Sequence, residues 1–265
     1  MNRISQYKYP QLWAGCVAAY CPSVDQRKGT TLLSDQSGRQ NHGTLTNMAS
    51  PGDNWVISNG KTALDFDGTN DYAAVVSPTQ NTGRLVDTLL DFSMSFWAYQ
   101  RSTASETFAV GVGNTTNDLQ HLGFGQWGSS PVQFRMRGTD GSVGAINVGI
   151  AINDVPHHIV CLRRGATMEL FADGKMLNTA TIPGTYTLTQ NTFHIGALQR
   201  STLLAYWNGT IDDIRIYKRA LSPSEIKLLA IRRGIAYETN ATKVTRFGSL
   251  SGAATRSRNY LVGAF

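Results

Sequence analysis

Residues 208–217 read Asn-Gly-Thr-Ile-Asp-Asp-Ile-Arg-Ile-Tyr, and this stretch has the alternation typical of a β-strand. Period-two alternation divides the side chains between two faces, with Asp212, Ile214 and Ile216 on one and Asp213, Arg215 and Tyr217 on the other. Residues 92–99, Phe-Ser-Met-Ser-Phe-Trp-Ala-Tyr, repeat the pattern with four apolar side chains on one face. Both stretches predict strands that bury one face in a core.

Working outward, short strands of the same kind recur at 158–162, 167–171, 175–179 and 193–197. Asp173-Gly174 separates two of them and is a type I′ hairpin signal, because both central residues need a positive φ. The polar stretches 103–117 and 138–147 predict surface loops. Ser222, followed by Pro223 and by Glu225 three residues on, predicts the start of one short C-terminal helix. Together these signals predict an all-β protein of two stacked antiparallel sheets.

The net charge of +6 in 265 residues is unevenly distributed. Residues 214–265 hold ten basic side chains against two acidic ones, a net charge of +8, which leaves −2 for residues 1–213. A nucleic-acid-binding domain carries its charge as a stripe over the fold, so we expect no nucleic-acid partner. The C-terminal segment instead predicts a basic arm that docks on an acidic partner surface. The arm residues proposed for that contact are Arg232, Arg233, Lys243, Arg246, Arg256 and Arg258.

Targeting signals and cysteine content indicate the cellular compartment in which a protein folds. No stretch approaches the ~18–20 apolar residues of a membrane span, and the first thirty residues lack a secretory signal pattern, so we expect neither a membrane partner nor secretion. Three cysteines, Cys16, Cys21 and Cys161, cannot all pair within one chain. Two interpretations stay open, a Cys16–Cys21 bridge or three buried free thiols in a reducing compartment.

Seven strings, in order, resemble the laminin-G-like members of the concanavalin A-like lectin/glucanase superfamily. They include Asp-Gln-Ser-Gly-Arg-Gln-Asn-His-Gly-Thr at 35–44 and Ala-Leu-Asp-Phe-Asp-Gly-Thr-Asn-Asp-Tyr at 63–72. The others lie at 92–97, 156–160, 169–174, 193–196 and 208–217, the last followed by Ala-Leu-Ser at 220–222. The resemblance covers residues 12–232. It implies a jelly-roll sandwich that serves in binding or adhesion, sometimes with a structural calcium ion.

Hydrolase chemistry is not expected. Glycoside hydrolysis needs two carboxylates that flank the scissile bond, and the hydrolases of this superfamily carry Glu-x-Asp-x-x-Glu on one strand. None of the four glutamates lies in such a motif, and Glu169 has Phe171 where the Asp would stand. The chain also lacks a Gly-x-Ser-x-Gly elbow and a phosphate-binding loop. The adjacent histidines His157 and His158 point to opposite faces of a strand and do not suit one metal ion.

Two kinds of binding site are predicted. Calcium prefers carboxylate, amide and carbonyl oxygens, which Asp35, Asn41, Asp212 and Asp213 would supply if their elements meet; otherwise these residues cap turns. Glycan binding would use exposed aromatic rings with amides nearby, the alternative being that the rings belong to the core. The aromatic candidates are Tyr99, Trp127, Tyr206 and Trp207, and the amide candidates are Asn114, Asn117 and Gln120.

The resemblance implies an extracellular type of fold, yet the sequence shows no secretory signal pattern. A non-enzymatic structural protein of a bacteriophage virion reconciles the two, because a capsid decoration or appendage protein reaches the exterior by lysis. Residues 7–13 and 232–238 resemble the flanks of laminin-G-like proteins encoded among phage structural genes. We expect an N-terminal arm (1–11), a sandwich domain (12–233) and a basic C-terminal arm (234–265) that binds a capsid or other virion protein. Homo-oligomers and a cell-surface glycan are further expected partners. The alternative is a free carbohydrate-binding or adhesion module.

Overall fold

The computed structural model describes residues 7–48, 54–75, 85–86, 90–101, 106–115, 120–182, 184 and 192–240. Their strands form two large antiparallel sheets that pack face to face, which confirms the all-β jelly-roll sandwich predicted from the alternating patterns. None of the helices in these ranges is long and apolar enough to cross a membrane.

The first sheet (sheet 1) has eight strands, and seven follow the spatial order β14-β13-β12-β7-β18-β5-β4. The eighth, β1, pairs with β18. The strands are β1 (Cys16–Tyr20), β4 (Trp55–Ser58), β5 (Lys61–Asp67), β7 (Phe92–Gln100), β12 (His157–Arg164), β13 (Thr167–Ala172), β14 (Lys175–Thr181) and β18 (Asn208–Tyr217).

The second sheet (sheet 2) has the order β11-β10-β9-β8-β15-β6-β3-β2. Its strands are β2 (Leu32–Leu33), β3 (Gly43–Thr46), β6 (Tyr72–Val75), β8 (Glu106–Gly113), β9 (His121–Trp127), β10 (Gln133–Arg137), β11 (Val143–Asn147) and β15 (Thr192–Ile195). A small hairpin of β16 (Leu198–Gln199) and β17 (Leu203–Leu204) follows β15.

The core lies between the two sheets. The four apolar side chains of β7 that alternate from Phe92 to Ala98 all belong to it, and so do Leu122 and Phe124 of β9. The rings of Phe96 and Phe124 meet across the core with centroids 5.4 Å apart. The remaining side chains of each strand therefore point to the outer faces of the sandwich, where the candidate sites lie.

Strand β18 contains a β-bulge that the sequence pattern did not reveal. Its register on β7 jumps from Asp212↔Trp97 to Arg215↔Ser95, so two residues stand opposite one. Ile211 and Ile214 both face the core although they are three residues apart. The prediction that Asp212 shares a face with Ile214 is therefore wrong, because the extra residue reverses the alternation. The bulge is also where β18 exchanges its neighbour β5 for β1.

The outer face of sheet 1 is partly covered by the helix and by both flanking segments. Helix α1 (Pro223–Leu229) begins at Ser222 with the predicted capping box. A 3₁₀ helix at Pro10–Trp13 and another at Ile235–Tyr237 pack beside it. Tyr7 pairs with Thr239, and Ile235 and Ala236 are buried. Residues 7–11 and 234–240, expected in the two arms, thus pack on the sandwich.

Two polar stretches expected to be loops contain strands. Residues 106–113 form β8 in the middle of sheet 2, and residues 143–147 form its edge strand β11. The loop prediction was wrong because Val110 and Val112 alternate toward the core with glycines between them.

All three cysteines are buried free thiols, and burial raises the pKa of Cys16 to about 12.

Candidate functional site

A pocket of about 280 Å³ opens on the outer face of sheet 1. Three separate parts of the chain form it: the turn between β4 and β5, strand β7, and the loop that precedes β12. Its lining residues are Ser58, Asn59, Tyr99, Asp154, Val155 and Pro156. Since Ala98 faces the core, Tyr99 points outward, and its half-buried ring forms one wall.

The β4–β5 turn is held in place from below. Asn59 and Gly60 both have positive φ, at 47° and 74°, as a two-residue type I′ hairpin requires. The buried guanidinium group of Arg233 donates to the backbone carbonyls of Ser58 and Asn59. Ser58 Oγ also lies 3.3 Å from Thr210 Oγ1 on β18. The amide of Asn59 is therefore carried by a fixed backbone at the mouth of the pocket.

Asp154 is positioned by a histidine. The Nε2 atom of His157 lies 3.1 Å from Oδ1 of Asp154, and its Nδ1 atom lies 2.7 Å from Oδ2 of Asp173. Partial burial lowers the pKa of His157, but the hydrogen bonds to the two carboxylates outweigh it and raise the pKa overall. A backbone hydrogen bond from Val155 and the bond from His157 lower the pKa of Asp154. Asp154 is therefore an ionised acceptor at neutral pH.

The neighbouring histidine, His158, has a different environment. Its Nε2 atom lies 2.9 Å from Ser95 Oγ, its ring lies against Trp97, and burial lowers its pKa to about 4. His157 and His158 thus have no shared ligand position. The two imidazoles therefore lie in different surroundings, as expected of adjacent residues on a strand.

The four predicted glycan-binding aromatics do not form one site. Tyr99 lines the pocket, whereas Trp207 is fully buried and its Nε1 donates to the Tyr99 carbonyl at 3.3 Å. Tyr206 is half-buried near Tyr72, and burial, with Tyr72 adding to it, raises its pKa. Trp127 lies on the outer face of sheet 2. Of the amide candidates, Asn114 and Gln120 are buried, and Asn117 lies outside the described residues.

The first two predicted calcium ligands serve a tight turn. Asp35 Oδ1 accepts from the backbone N–H groups of Ala19 (2.9 Å) and Ser37 (2.8 Å). Its Oδ2 accepts from the N–H of Asn41 (3.0 Å) and the hydroxyl of Ser37 (2.7 Å). Both carboxylate oxygens of Asp35 are therefore taken by protein donors, as in a turn-capping aspartate.

The other two lie at the bulge of β18. Asp213 accepts from Arg215 Nε (3.1 Å) and from the Gly234 N–H (2.7 Å), and Asp212 lies 3.5 Å from Arg233 Nη1. Burial raises the pKa of Asp212 to about 7. No group of three or more His, Cys, Asp or Glu side chains is arranged for a metal within the described ranges. Since the carboxylates of Asp35 and Asp213 accept from protein donors, the structure favours the alternative that these residues cap turns over the predicted calcium site.

Of the six basic residues predicted to form the C-terminal arm, two lie in the described part of the chain and have different surroundings. Arg233 is buried in its contacts with Asp212 and the β4–β5 turn, so it stabilises the domain. Arg232 is exposed and donates to Glu238 through Nε at 2.9 Å. The other four, Lys243, Arg246, Arg256 and Arg258, lie outside the described residues.

Sequence reasoning found Tyr99 but missed the rest of the pocket. Asn59-Gly60 between two apolar runs is a hairpin signal that would have located the turn. Asp154 and Asp173 stand on either side of His157 in the sequence, 3 residues before it and 16 after, but only the topology brings both to one imidazole.

The fold and the comparisons agree on the class of protein. Residues 67–227 match the model of a laminin-G-like family in the concanavalin A-like lectin/glucanases superfamily. The chain belongs to this family. No match was found among curated proteins.

Solved structures of similar fold belong to proteins of different kinds, among them an arabinanase, a mosquitocidal protein and a sialidase. One is domain 4 of AbnA, an extracellular arabinanase from Geobacillus stearothermophilus, in complex with arabinotriose; it matches at 16% identity and a TM-score of 0.62, over 85% of this chain and 99% of that one. Another is the binding domain of Paraclostridial Mosquitocidal Protein 1, at 17% identity and a TM-score of 0.59, over 83% and 52%. A third is a Trypanosoma rangeli sialidase in complex with sialic acid, at 19% identity and a TM-score of 0.58, over 82% and 33%. At these identities the likeness shows the fold alone.

Proposed function

We propose that this chain is a non-catalytic carbohydrate-binding sandwich and that its ligand binds in the Tyr99 pocket. The observation that carries the proposal is the composition of that pocket: an aromatic ring, an ionised carboxylate and a backbone-fixed amide around one concave opening. An aromatic ring packs against the apolar face of a sugar, while carboxylate and amide groups bond its hydroxyls.

The carboxylate chemistry favours binding over hydrolysis. A glycosidase acid has a raised pKa, so that it holds a proton near neutral pH. The pKa of Asp154 is instead lowered, and its partner His157 is engaged by a second carboxylate. Glu169, the one glutamate on a predicted strand, forms an ion pair with Arg164 at 2.9 Å.

The fold class supports the same proposal. Domain 4 of the arabinanase was solved with arabinotriose, and it is matched over almost its whole length. One domain with this type of sandwich, itself part of a larger arabinanase, was therefore solved with an oligosaccharide bound. The sialidase among the neighbours is an enzyme, and this is why the pocket chemistry, not the fold, has to decide the matter.

The test is a glycan array probed with the full chain, followed by calorimetric titration of the strongest neutral hit and of arabinotriose. Tyr99→Ala and Asp154→Ala should each weaken binding about tenfold or more, since each removes one of the pocket's main contacts. Tyr206→Ala is the matched control, because Tyr206 lies beside Phe108 of sheet 2 and outside the pocket, and it should bind as the wild type does. Equal binding by all three variants, with unchanged melting temperatures, would disprove the pocket assignment.

We further propose that the sandwich is displayed on a bacteriophage particle through residues 241–265. The support is the concentration of positive charge after residue 213 and the resemblance of the flanking sequences to phage structural proteins. In this proposal the protein is located in the virion, a capsid or other virion protein is the partner, and copies of the chain associate with one another. The alternative is a free adhesion module.

Truncation tests the anchoring. The cut belongs after residue 240, because Ile235 and Ala236 are buried and their removal would damage the domain. The truncated chain should keep the melting temperature of the full chain and lose incorporation into particles. Full incorporation of the truncated chain would overturn the proposal and favour a free module.

A further inference from the structure

The outer face of sheet 2 carries a second group of side chains away from the Tyr99 pocket. Strands β9 and β10 run side by side, with Gly123 opposite Arg135 and His121 opposite Arg137. Phe134 and Met136 face the core, so Arg135 and Arg137 point outward. The space above Gly123 is filled by the ring of Phe108, whose Cδ1 lies 2.6 Å from the position that a Cβ atom would take.

Trp127 supports two guanidinium groups. The Cζ atom of Arg135 lies 4.8 Å from the centroid of the Trp127 ring, and that of Arg200, from the loop between β16 and β17, lies 5.0 Å away. The imidazole of His121 stacks on the same ring at 5.3 Å with an interplanar angle of 19°. Because protein groups already pack against the indole, it serves to hold the arginines rather than to stack on a sugar.

The positive charges around Arg135 are close enough to repel one another. Burial lowers the pKa of Arg135, and the nearby Arg137 and Arg200 lower it further, with Glu106 as the opposing acid. The Nε atom of Arg135 is buried without a hydrogen-bond partner among the described residues. Gathering like charges around a partly desolvated guanidinium costs free energy, and a bound anion would offset it.

We propose that Arg135 and Arg200, held against Trp127, form a second binding site whose ligand is the carboxylate or sulfate group of an acidic oligosaccharide. The planar guanidinium fork of Arg135 can bind either oxyanion through paired hydrogen bonds, and the nearby positive charge of Arg200 adds to the attraction. A polyanionic nucleic acid would need a stripe of charge, whereas residues 1–213 carry a net charge of −2. The site shares no residue with the Tyr99 pocket, so it stands or falls independently of the proposed function.

The experiment is calorimetric titration of the full chain with four probes: an oligogalacturonate, a sulfated heparin tetrasaccharide, a neutral galacto-oligosaccharide, and sodium sulfate at matched ionic strength. At least one acidic oligosaccharide should bind. Arg135→Gln should weaken that binding about tenfold or more, and Arg135→Lys should give an intermediate loss, because lysine keeps the charge but not the fork. The matched control is Lys175→Gln on the exposed strand β14, which removes one positive charge elsewhere and should bind as the wild type does.

The variants also separate the two sites. Tyr99→Ala should leave acidic-oligosaccharide binding unchanged, and Arg135→Gln should leave binding of the neutral pocket ligand unchanged. The proposal is overturned if neither acidic probe binds, if Arg135→Gln binds as tightly as Lys175→Gln, or if sodium sulfate alone binds as tightly as the oligosaccharides. Melting temperatures of all variants report whether the fold is retained.

Discussion

The Nε atom of Arg215 donates to Oδ1 of Asp213 at 3.1 Å, and both side chains are almost completely removed from solvent. The guanidinium group also lies between two rings, with centroid distances of 4.7 Å to Trp13 and 4.6 Å to Tyr237. Trp13 precedes β1 and Tyr237 follows α1. One arginine therefore joins the bulge of β18 to both segments that cover sheet 1.

Arg215→Ala should lower the free energy of unfolding by about 3–5 kcal/mol, because it leaves a buried carboxylate without its cation. Urea unfolding followed by circular dichroism measures the loss. Lys175→Ala on exposed β14 is the control and should change stability by less than about 0.5 kcal/mol. A loss of similar size in both variants would mean that the buried pair contributes little.

His194→Phe should reduce the acid sensitivity of the fold. Burial lowers the pKa of His194 to about 4, below the 6.5 of an unfolded chain. The unfolded state therefore binds a proton that the native state does not, and wild-type stability falls as the pH drops from 6.5 toward 4. One such histidine contributes up to about 3 kcal/mol of this loss. Unfolding free energies of both proteins at pH 6.5 and pH 4 test it; parallel losses would contradict the assignment.

Binding in the Tyr99 pocket should weaken at alkaline pH. The pKa of His157 is raised above 6.5, so the charged form that bridges Asp154 and Asp173 predominates below pH 6.5 and is lost as the pH rises through the raised value. His157→Gln should flatten the affinity profile between about pH 5.5 and 8.5. NMR titration of the His157 ring measures the pKa directly. An unshifted value would remove the basis for the expectation.

Gly113→Ala should displace the β16–β17 hairpin. A Cβ atom at this position would lie 1.7 Å from the carbonyl oxygen of Gln199, which is backbone and cannot move alone. We expect a loss of about 1–3 kcal/mol in stability and weaker binding of acidic oligosaccharides, because the loop of this hairpin carries Arg200. Gly43→Ala, where the nearest atom is 3.5 Å from the added Cβ, is the control. Equal effects of both substitutions would argue against this close approach.

Removal of calcium should leave the melting temperature unchanged. The oxygens of Asp35 accept four hydrogen bonds from protein donors, and Asp213 pairs with Arg215 and Gly234. A thermal shift assay with EDTA and then with excess calcium makes the measurement. A calcium-dependent rise in melting temperature would show that these carboxylates rearrange around an ion.

Sheet 1 was largely readable from the sequence, whereas sheet 2 was largely not. In β7 bulky apolar residues alternate with polar or aromatic ones, and β12 contains the apolar run Ile-Val-Cys-Leu; sequence analysis detects both patterns as strands. In β8 and β9 the outward positions include Gly111, Gly113 and Gly123, so the alternation resembles a loop. Position 113 requires glycine because the hairpin that carries Gln199 packs directly against it. That contact is made by residues far away in the sequence, so the local pattern does not reveal it.

The two candidate binding sites were also only partly predictable from the sequence, because their residues come from distant parts of the chain. Tyr99 was found because an aromatic residue on a strand is conspicuous, but its partners lie on a turn and a loop. The two arginines beside Trp127 are 65 residues apart in the chain and meet only because the hairpin folds back over β8, the neighbour of β9. The bulge at Asp213 was also invisible, since φ of +44° at this aspartate depends on the contacts of Arg215 and Gly234.

The pairing of Tyr7 with Thr239 has a practical consequence. The backbone N–H of Lys8 donates to the carbonyl of Glu238 at 2.7 Å, so the two ends of the described sandwich, near residues 7 and 240, are side by side. A short linker between these positions would close the backbone into a ring without stretching it. The domain is therefore suited to circular permutation and to insertion, as a single module, into an exposed loop of a carrier protein.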